Sequence, residues 1–318
     1  MIINQPAMFM NRITFLFLFA VIAIASCKPA VVKEEPQTVA PPPSTIPDSI
    51  PVQSLTRLWN TDAKLTTSES VYYDTTANLL YVSCIGGVPP DKKDNDGFIA
   101  KVGLDGKIIT LKWATGMSAP KGMGRSGNTL YVTDIDRVVA IDVNTGKISN
   151  SWKVAGASFL NDIAVSHDGT VYISDSNKST IHQLSKGKVT PVFSDTTLHG
   201  TNGLFADGQR LLIAADGTTY SFDIAGKHVN VIAQGIPAGD GIERYGDGIF
   251  QSNWNGEVYY IDASGKLSKV LDTKEIKMNT ADIEVIENKN LLFVPTFFGN
   301  SVTAYTISMK KMSAEPAK

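Results

Sequence analysis

The sequence predicts an all-β chain folded as a six-bladed β-propeller, with an N-terminal strand closing the last blade. Three observations carry this. Six stretches begin alike, as ESVYYD at Glu69, PKGMGRSGN at Pro120, NDIAVSHDG at Asn161, NGLFADG at Asn202, DGIERYGDG at Asp240 and ADIEVIENKN at Ala281. Their starts are 51, 41, 41, 38 and 41 residues apart (120−69, 161−120, 202−161, 240−202, 281−240), close to the length of a four-stranded blade. Turn signals recur at fixed places within the repeats, and the text before the first repeat resembles the fourth strand of the later ones.

Along the chain, the first element is an apolar run, NRITFLFLFAVIAIAS from Asn11 to Ser26, behind Arg12. It is shorter than the roughly 20 apolar residues that span a bilayer, so residues 1–26 read as a secretory signal. Residues 1–9 carry no charge, and a start at Met8 or Met10 would place Arg12 near the N-terminus. Ile24, Ala25, Ser26 and Cys27 resemble the lipobox of bacterial lipoproteins. Cys27 would then carry lipid, making this an exported lipoprotein of the outer membrane, on its periplasmic or its surface face. Residues 27–52 form a tether: Pro29, Pro36, Pro41, Pro42, Pro43, Pro47 and Pro51 lie here out of 15 in the chain, a composition that stays extended and buries no core. With Cys27 lipidated, Cys84 is the remaining thiol, so no intramolecular disulfide is expected. In the strand text LLYVSCI it reads as a buried thiol.

Residues 53–308 hold the propeller and 309–318 a polar tail. SLTRLWNT looks like IITLKWAT and ISNSWKVA, with Trp59, Trp113 and Trp152 in comparable places, and the last repeat stops after its third strand, SVTAYTI. The strand around Leu55–Asn60 is therefore expected to complete blade six and remove an open edge. First-hairpin signals fall at Asp168-Gly169, Asp207-Gly208 and Asp247-Gly248. Second-hairpin signals fall at Gly106-Lys107, Gly146-Lys147, Gly187-Lys188, Gly226-Lys227 and Gly265-Lys266. The strands between them, such as TVYISDS and RLLIAAD, are rich in Val, Ile, Leu and Tyr. None of the Gly-Lys pairs has the phosphate-loop spacing.

A net charge of −2 and the lack of a basic run interleaved with aromatics exclude nucleic acid as a partner, and a monomer is expected. Equivalent positions of radially arranged blades face one axis, so Glu69, Asn161, Asn202 and Asp240 are expected to converge. Two carboxylates and amide oxygens suit a hard divalent ion, Ca²⁺ foremost, and no His or Cys cluster suggests zinc.

The register of these residues, a Glu opening the first blade, then Asn161-Asp162, Asn202-Gly203 and Asp240-Gly241, resembles the SMP-30/gluconolactonase/LRE-like family over residues 53–308. The resemblance implies a catalytic divalent metal held by Glu69, Asn202 and Asp240, with Asn161 close to metal and substrate. It also implies hydrolysis of a lactone or ester, with Asp240 and Asn161 as catalytic residues and Asp240 accepting the proton. Sugar lactonases of this family carry Arg where this chain has Phe159, which moves the expected substrate towards a more apolar lactone or ester. His199 is placed either over the channel mouth as a base or as an ordinary loop residue. Asp162 and Asp282 either line the tunnel or bond backbone amides. A non-catalytic binding propeller of the NHL type, with a structural axial ion, is the alternative.

Overall fold

A computed structural model describes residues 52–310; the signal segment, Cys27, the Pro-rich tether and the tail beyond Lys310 lie outside the described residues. Among the described residues no helix is long and apolar enough to cross a membrane.

The strands are β1 (Val52–Asn60), β2 (Ser68–Asp74), β3 (Leu79–Cys84), β4 (Gly97–Gly103) and β5 (Ile108–Met117). There follow β6 (Pro120–Ser126), β7 (Thr129–Asp134), β8 (Arg137–Asp142), β9 (Ile148–Lys153), β10 (Leu160–Val165), β11 (Val171–Asp175), β12 (Thr180–Ser185) and β13 (Lys188–Ser194). The rest are β14 (Leu204–Asp207), β15 (Arg210–Ala214), β16 (Thr218–Asp223), β17 (His228–Gln234), β18 (Gly239–Tyr245), β19 (Gly248–Asn253), β20 (Glu257–Ile261), β21 (Leu267–Asp272), β22 (Glu284–Ile286), β23 (Leu291–Pro295) and β24 (Val302–Lys310). They form six four-stranded sheets. Five take consecutive strands, beginning with β2, β6, β10, β14 and β18; the sixth has the order β22-β23-β24-β1.

The sixth sheet is the expected closure. β1 pairs antiparallel with β24, Val52 facing Lys310 and Asn60 facing Thr303. Trp59 packs on Phe293 with ring centroids 5.7 Å apart and donates its indole N–H to the Leu104 carbonyl of blade one at 2.9 Å. Trp113 and Trp152 repeat this role in outer strands, against Tyr81 and Tyr131. Core clusters lie between adjacent sheets, and Cys84 is buried in one of them as a free thiol. The hairpin residues fall at or beside turns with two local variations: in blade four Lys227, not Gly226, takes the left-handed conformation, and in blade five Gly246 does so while Gly248 begins β19.

Inner strands of neighbouring blades approach closely because the residue after each blade's first position is small or an Asp. A Cβ on Gly203 would overlap the Asp240 carbonyl oxygen, which instead accepts the Gly203 N–H at 3.0 Å. The Gly of the "NG" dipeptide thus serves blade packing, leaving Asn202 to serve the channel.

Candidate functional site

Most inner strands begin with a slip in register. Pairing jumps between Ser68 and Ser70, Pro120 and Met123, Leu160 and Ile163, and Gly239 and Ile242. Such bulges release a residue from the ladder and re-aim its side chain. Glu69, Lys121, Asn161 and Asp240 occupy these slips, and Asn202 lies two residues before β14. All five line one cavity of about 720 Å³. Phe159 and His199 line it as well, so six of the residues singled out in the sequence meet there.

Asp162 and Asp282 do not line that cavity. The Asp162 carboxylate accepts the N–H groups of Leu204 and Ile163, both at 2.6 Å, and Asp282 accepts the Ser70 hydroxyl at 2.6 Å. Asp162 thus bonds backbone amides, one of the two roles expected, while Asp282 bonds a side-chain hydroxyl of the neighbouring blade. His199 lies on the cavity rim, largely exposed, with Nδ1 3.9 Å from Asp216.

The floor holds two buried carboxylates. Glu69 and Asp240 are 6% and 2% exposed, and Glu69 Oε2 and Asp240 Oδ1 have no hydrogen-bond partner among the described residues. Burial pushes the Glu69 carboxyl well up, Asp240 adds to the rise, and Lys121 opposes it. Burial, then Asp282, raise Asp240, while a bond from Asn202 lowers it. Unpartnered buried oxygens are costly and call for a cation or proton. Among the described residues no three His, Cys, Asp or Glu side chains group as a metal site, so an ion would need amide oxygens and water besides the two carboxylates. The donors fit: the Asn161 amide nitrogen bonds Ser176 Oγ at 3.1 Å, which leaves the amide oxygen free of that bond. Two carboxylates and two amide oxygens match a hard divalent ion.

Lys121 is the residue that sequence reasoning passed over. Blade two was read from Pro120, yet Lys121-Gly122-Met123 aligns with Glu69-Ser70-Val71 and Asn161-Asp162-Ile163. Lys121 is 1% exposed, and its ammonium donates to the carbonyls of Pro90 at 2.9 Å and Ala119 at 3.3 Å. Burial lowers its pKa and Glu69 counteracts this. The ammonium also sits 4.6 Å from the centroid of the Phe159 ring, within cation–π range. The Lys121 ammonium, from the neighbouring blade, therefore rests on the Phe159 ring.

The rim is apolar. Blade one is about ten residues longer than the others, and the excess lies between β3 and β4, where Ile85, Val88, Pro90 and Asp91 reach the cavity. Beside them stand Trp254, Phe297 and Phe298, in edge-on contact with ring centroids 4.9 to 5.9 Å apart, Phe297 sharing a buried cluster with Ile85.

Later residues of the same inner strands line a second, larger cavity of about 960 Å³ with Tyr72, Arg125, Glu243 and Glu284. Its groups are more fully engaged: Arg125 pairs with Asp74 and bonds the Gly127 carbonyl, and Glu284 accepts the Tyr73 N–H at 2.8 Å. Burial raises Asp282 to about 7 and Glu284, in this second cavity, to about 8. Because both folded values exceed the unfolded ones of about 4, the stabilisation is full in acid and is lost as pH rises through the folded values. With chelator present, the melting temperature is expected to fall by roughly 5 °C from about pH 5 to about pH 8. An Asp282→Asn, Glu284→Gln double variant should make that fall shallower, the remainder resting on Glu69, Asp162, Asp240 and Glu243, which burial also raises, as pH-resolved thermal unfolding would show.

No protein-family model matches the chain, and no curated protein matches it. Among solved structures it is similar to catalytically inactive virginiamycin B lyase from Staphylococcus aureus with quinupristin, at a TM-score of 0.57 and 14% identity, over 80% of this chain and 99% of that one. The selenomethionine-substituted virginiamycin B lyase of the same organism gives 0.56 and 14% over the same shares. The likeness shows a six-bladed propeller. At that identity it speaks for the fold, and the chemistry is argued from this chain's own cavity.

Proposed function

We propose that the cavity floored by Glu69, Asn161, Asn202 and Asp240 is the active site of a divalent-cation-dependent hydrolase acting on lactones or esters. The lipid at Cys27 would anchor it in the bacterial envelope. One observation carries the reading: two buried carboxylate oxygens on a single cavity floor, Glu69 Oε2 and Asp240 Oδ1, lack partners. Glu69, Asp240 and Asn202 would hold the ion, Ca²⁺ foremost, with the Asn161 oxygen beside them. A bound hard cation polarises a carbonyl oxygen and stabilises the negative charge that develops on it.

Asp240, buried on the floor beside the place where substrate would meet the ion, takes the proton of the attacking water. The water oxygen bonds to the acyl carbon, the acyl–oxygen bond breaks, and the proton passes from Asp240 to the departing oxygen. Lys121 opposes part of the rise that burial and Asp240 impose on Glu69, and a bound cation would favour its anion further. Asn161, tethered to Ser176, holds its amide in a fixed orientation.

The alternative, a binding propeller, draws on the same floor. Lys121 already offsets part of the carboxylate charge, and the aromatic rim suits a ligand held without turnover. Hydrolysis of a lactone and ester panel by chelator-treated protein, with and without added Ca²⁺, separates the two. Restoration of turnover by the ion is the expected result. A panel left intact with every ion tested, by protein that still binds an apolar ligand, would favour the binding propeller.

A further inference from the structure

We propose that the cavity selects amphiphilic carboxylates and the apolar lactones that yield them, with Lys121 receiving the ligand's carboxyl oxygen and Trp254 and Phe298 receiving its aryl or alkyl body. The proposal names the substrate class of the hydrolase reading, and its test reads binding alone, so either can fail without the other.

An ammonium has three donors, and the acceptors of Lys121 among the described residues are two backbone carbonyls, at 2.9 and 3.3 Å. No carboxylate lies within ion-pair distance of Lys121 Nζ among the described residues, although the side chain is 1% exposed and lines the cavity. Glu69, Asp134 and Asp91 favour its charged form from further off, and a ligand carboxylate would supply the direct pair that they do not. The Pro90 and Ala119 carbonyls and the face of Phe159 fix the ammonium's position, so a ligand oxygen meets a donor that is already placed.

Large apolar side chains that face solvent gather at the mouth of this cavity. Val88, Trp254 and Phe298 are 57%, 39% and 53% exposed. The backbone sustains this exposure. Phe297 adopts φ 45°, a left-handed conformation unusual for a bulky residue. The turn is held by bonds from the Phe297 N–H to the Ser68 carbonyl at 3.1 Å and from the Asn300 N–H to the Phe297 carbonyl at 3.0 Å. Phe297 is thereby buried while Phe298 projects. An apolar wall above a charged, polar floor matches a ligand with one polar end.

The test uses the full chain and two probes of similar shape, 3-phenylpropionate and 3-phenylpropanol, titrated in chelator and followed by tryptophan fluorescence and calorimetry. Of the four Trp, Trp254 lines the cavity, so Trp254→Phe should abolish the fluorescence change while calorimetry still reports binding. The carboxylate is expected to bind about tenfold or more tightly than the alcohol, the worth of a charge-assisted bond. Lys121→Met should remove that preference, Lys121→Arg should keep much of it, and Phe298→Ala should weaken both probes together. Thermal unfolding of each variant verifies folding, and the wild-type comparison needs no variant at all. Equal affinity for the two probes, an undiminished preference in folded Lys121→Met, or no binding of either probe would overturn the proposal.

Discussion

Replacing Asp240 by Ala is expected to lower kcat/KM for lactone or ester hydrolysis by about a thousandfold, since one group both holds the cation and accepts the proton. The same substitution should leave the fold intact or strengthen it when metal is absent. Asp240 is buried, Asp282 raises its pKa, and its Oδ1 has no partner. Its removal therefore deletes an unsatisfied group and a like-charge contact. Steady-state kinetics with Ca²⁺, read beside thermal unfolding in chelator, tests both halves. A variant that loses activity and stability in parallel would assign Asp240 to the fold and not to the chemistry.

Deleting β1, residues 52–60, should have the largest effect on stability. The strand completes the sixth sheet along its whole length, and Leu55 and Trp59 pack onto separate core clusters. Loss of one packed Trp costs about 3 kcal/mol, against a total stability of about 5–15 kcal/mol for a domain. Deletion also exposes the outer edge of β24 to pairing with other chains. The expected outcome is aggregation on expression, or loss of the cooperative thermal transition. A truncated chain that remains monomeric and melts at the full-length temperature would show that the strand is not the closure.

Blade count, the closing strand and the inner-strand register of every blade but the second were legible, because each rests on a local pattern repeated about every 40 residues. The convergence of Glu69, Asn161, Asn202 and Asp240 followed from that register alone. Lys121 was missed for a definite reason. The text PKG carries neither the oxygen ligand nor the dipeptide that marks the other blades, and a buried lysine is uncommon enough that no pattern anticipates it. The role of Phe159 was hidden with it, since a cation–π contact joins residues of different blades. The extra length of blade one was visible in the first interval, yet nothing local states that the loop after β3 turns over the cavity and lends Lys121 a carbonyl. Asp162 and Asp282 held two open roles because an Asp beside a channel and an Asp bonding across inner strands share the same sequence position.

The central claim is that the two orphaned carboxylate oxygens mark a cation site. The most direct test is thermal unfolding of the full chain, first in chelator and then with Ca²⁺, Mg²⁺, Mn²⁺ and Zn²⁺, beside an Asn202→Ala, Asp240→Ala double variant. An ion present at about 100 times its Kd adds roughly 2.7 kcal/mol, which should raise the melting temperature of a domain this size by about 5 °C or more. The account predicts a shift of that order for at least one hard ion in the wild type and none in the variant. No shift with any ion in protein verified as metal-free, or an equal shift in the variant, would contradict it.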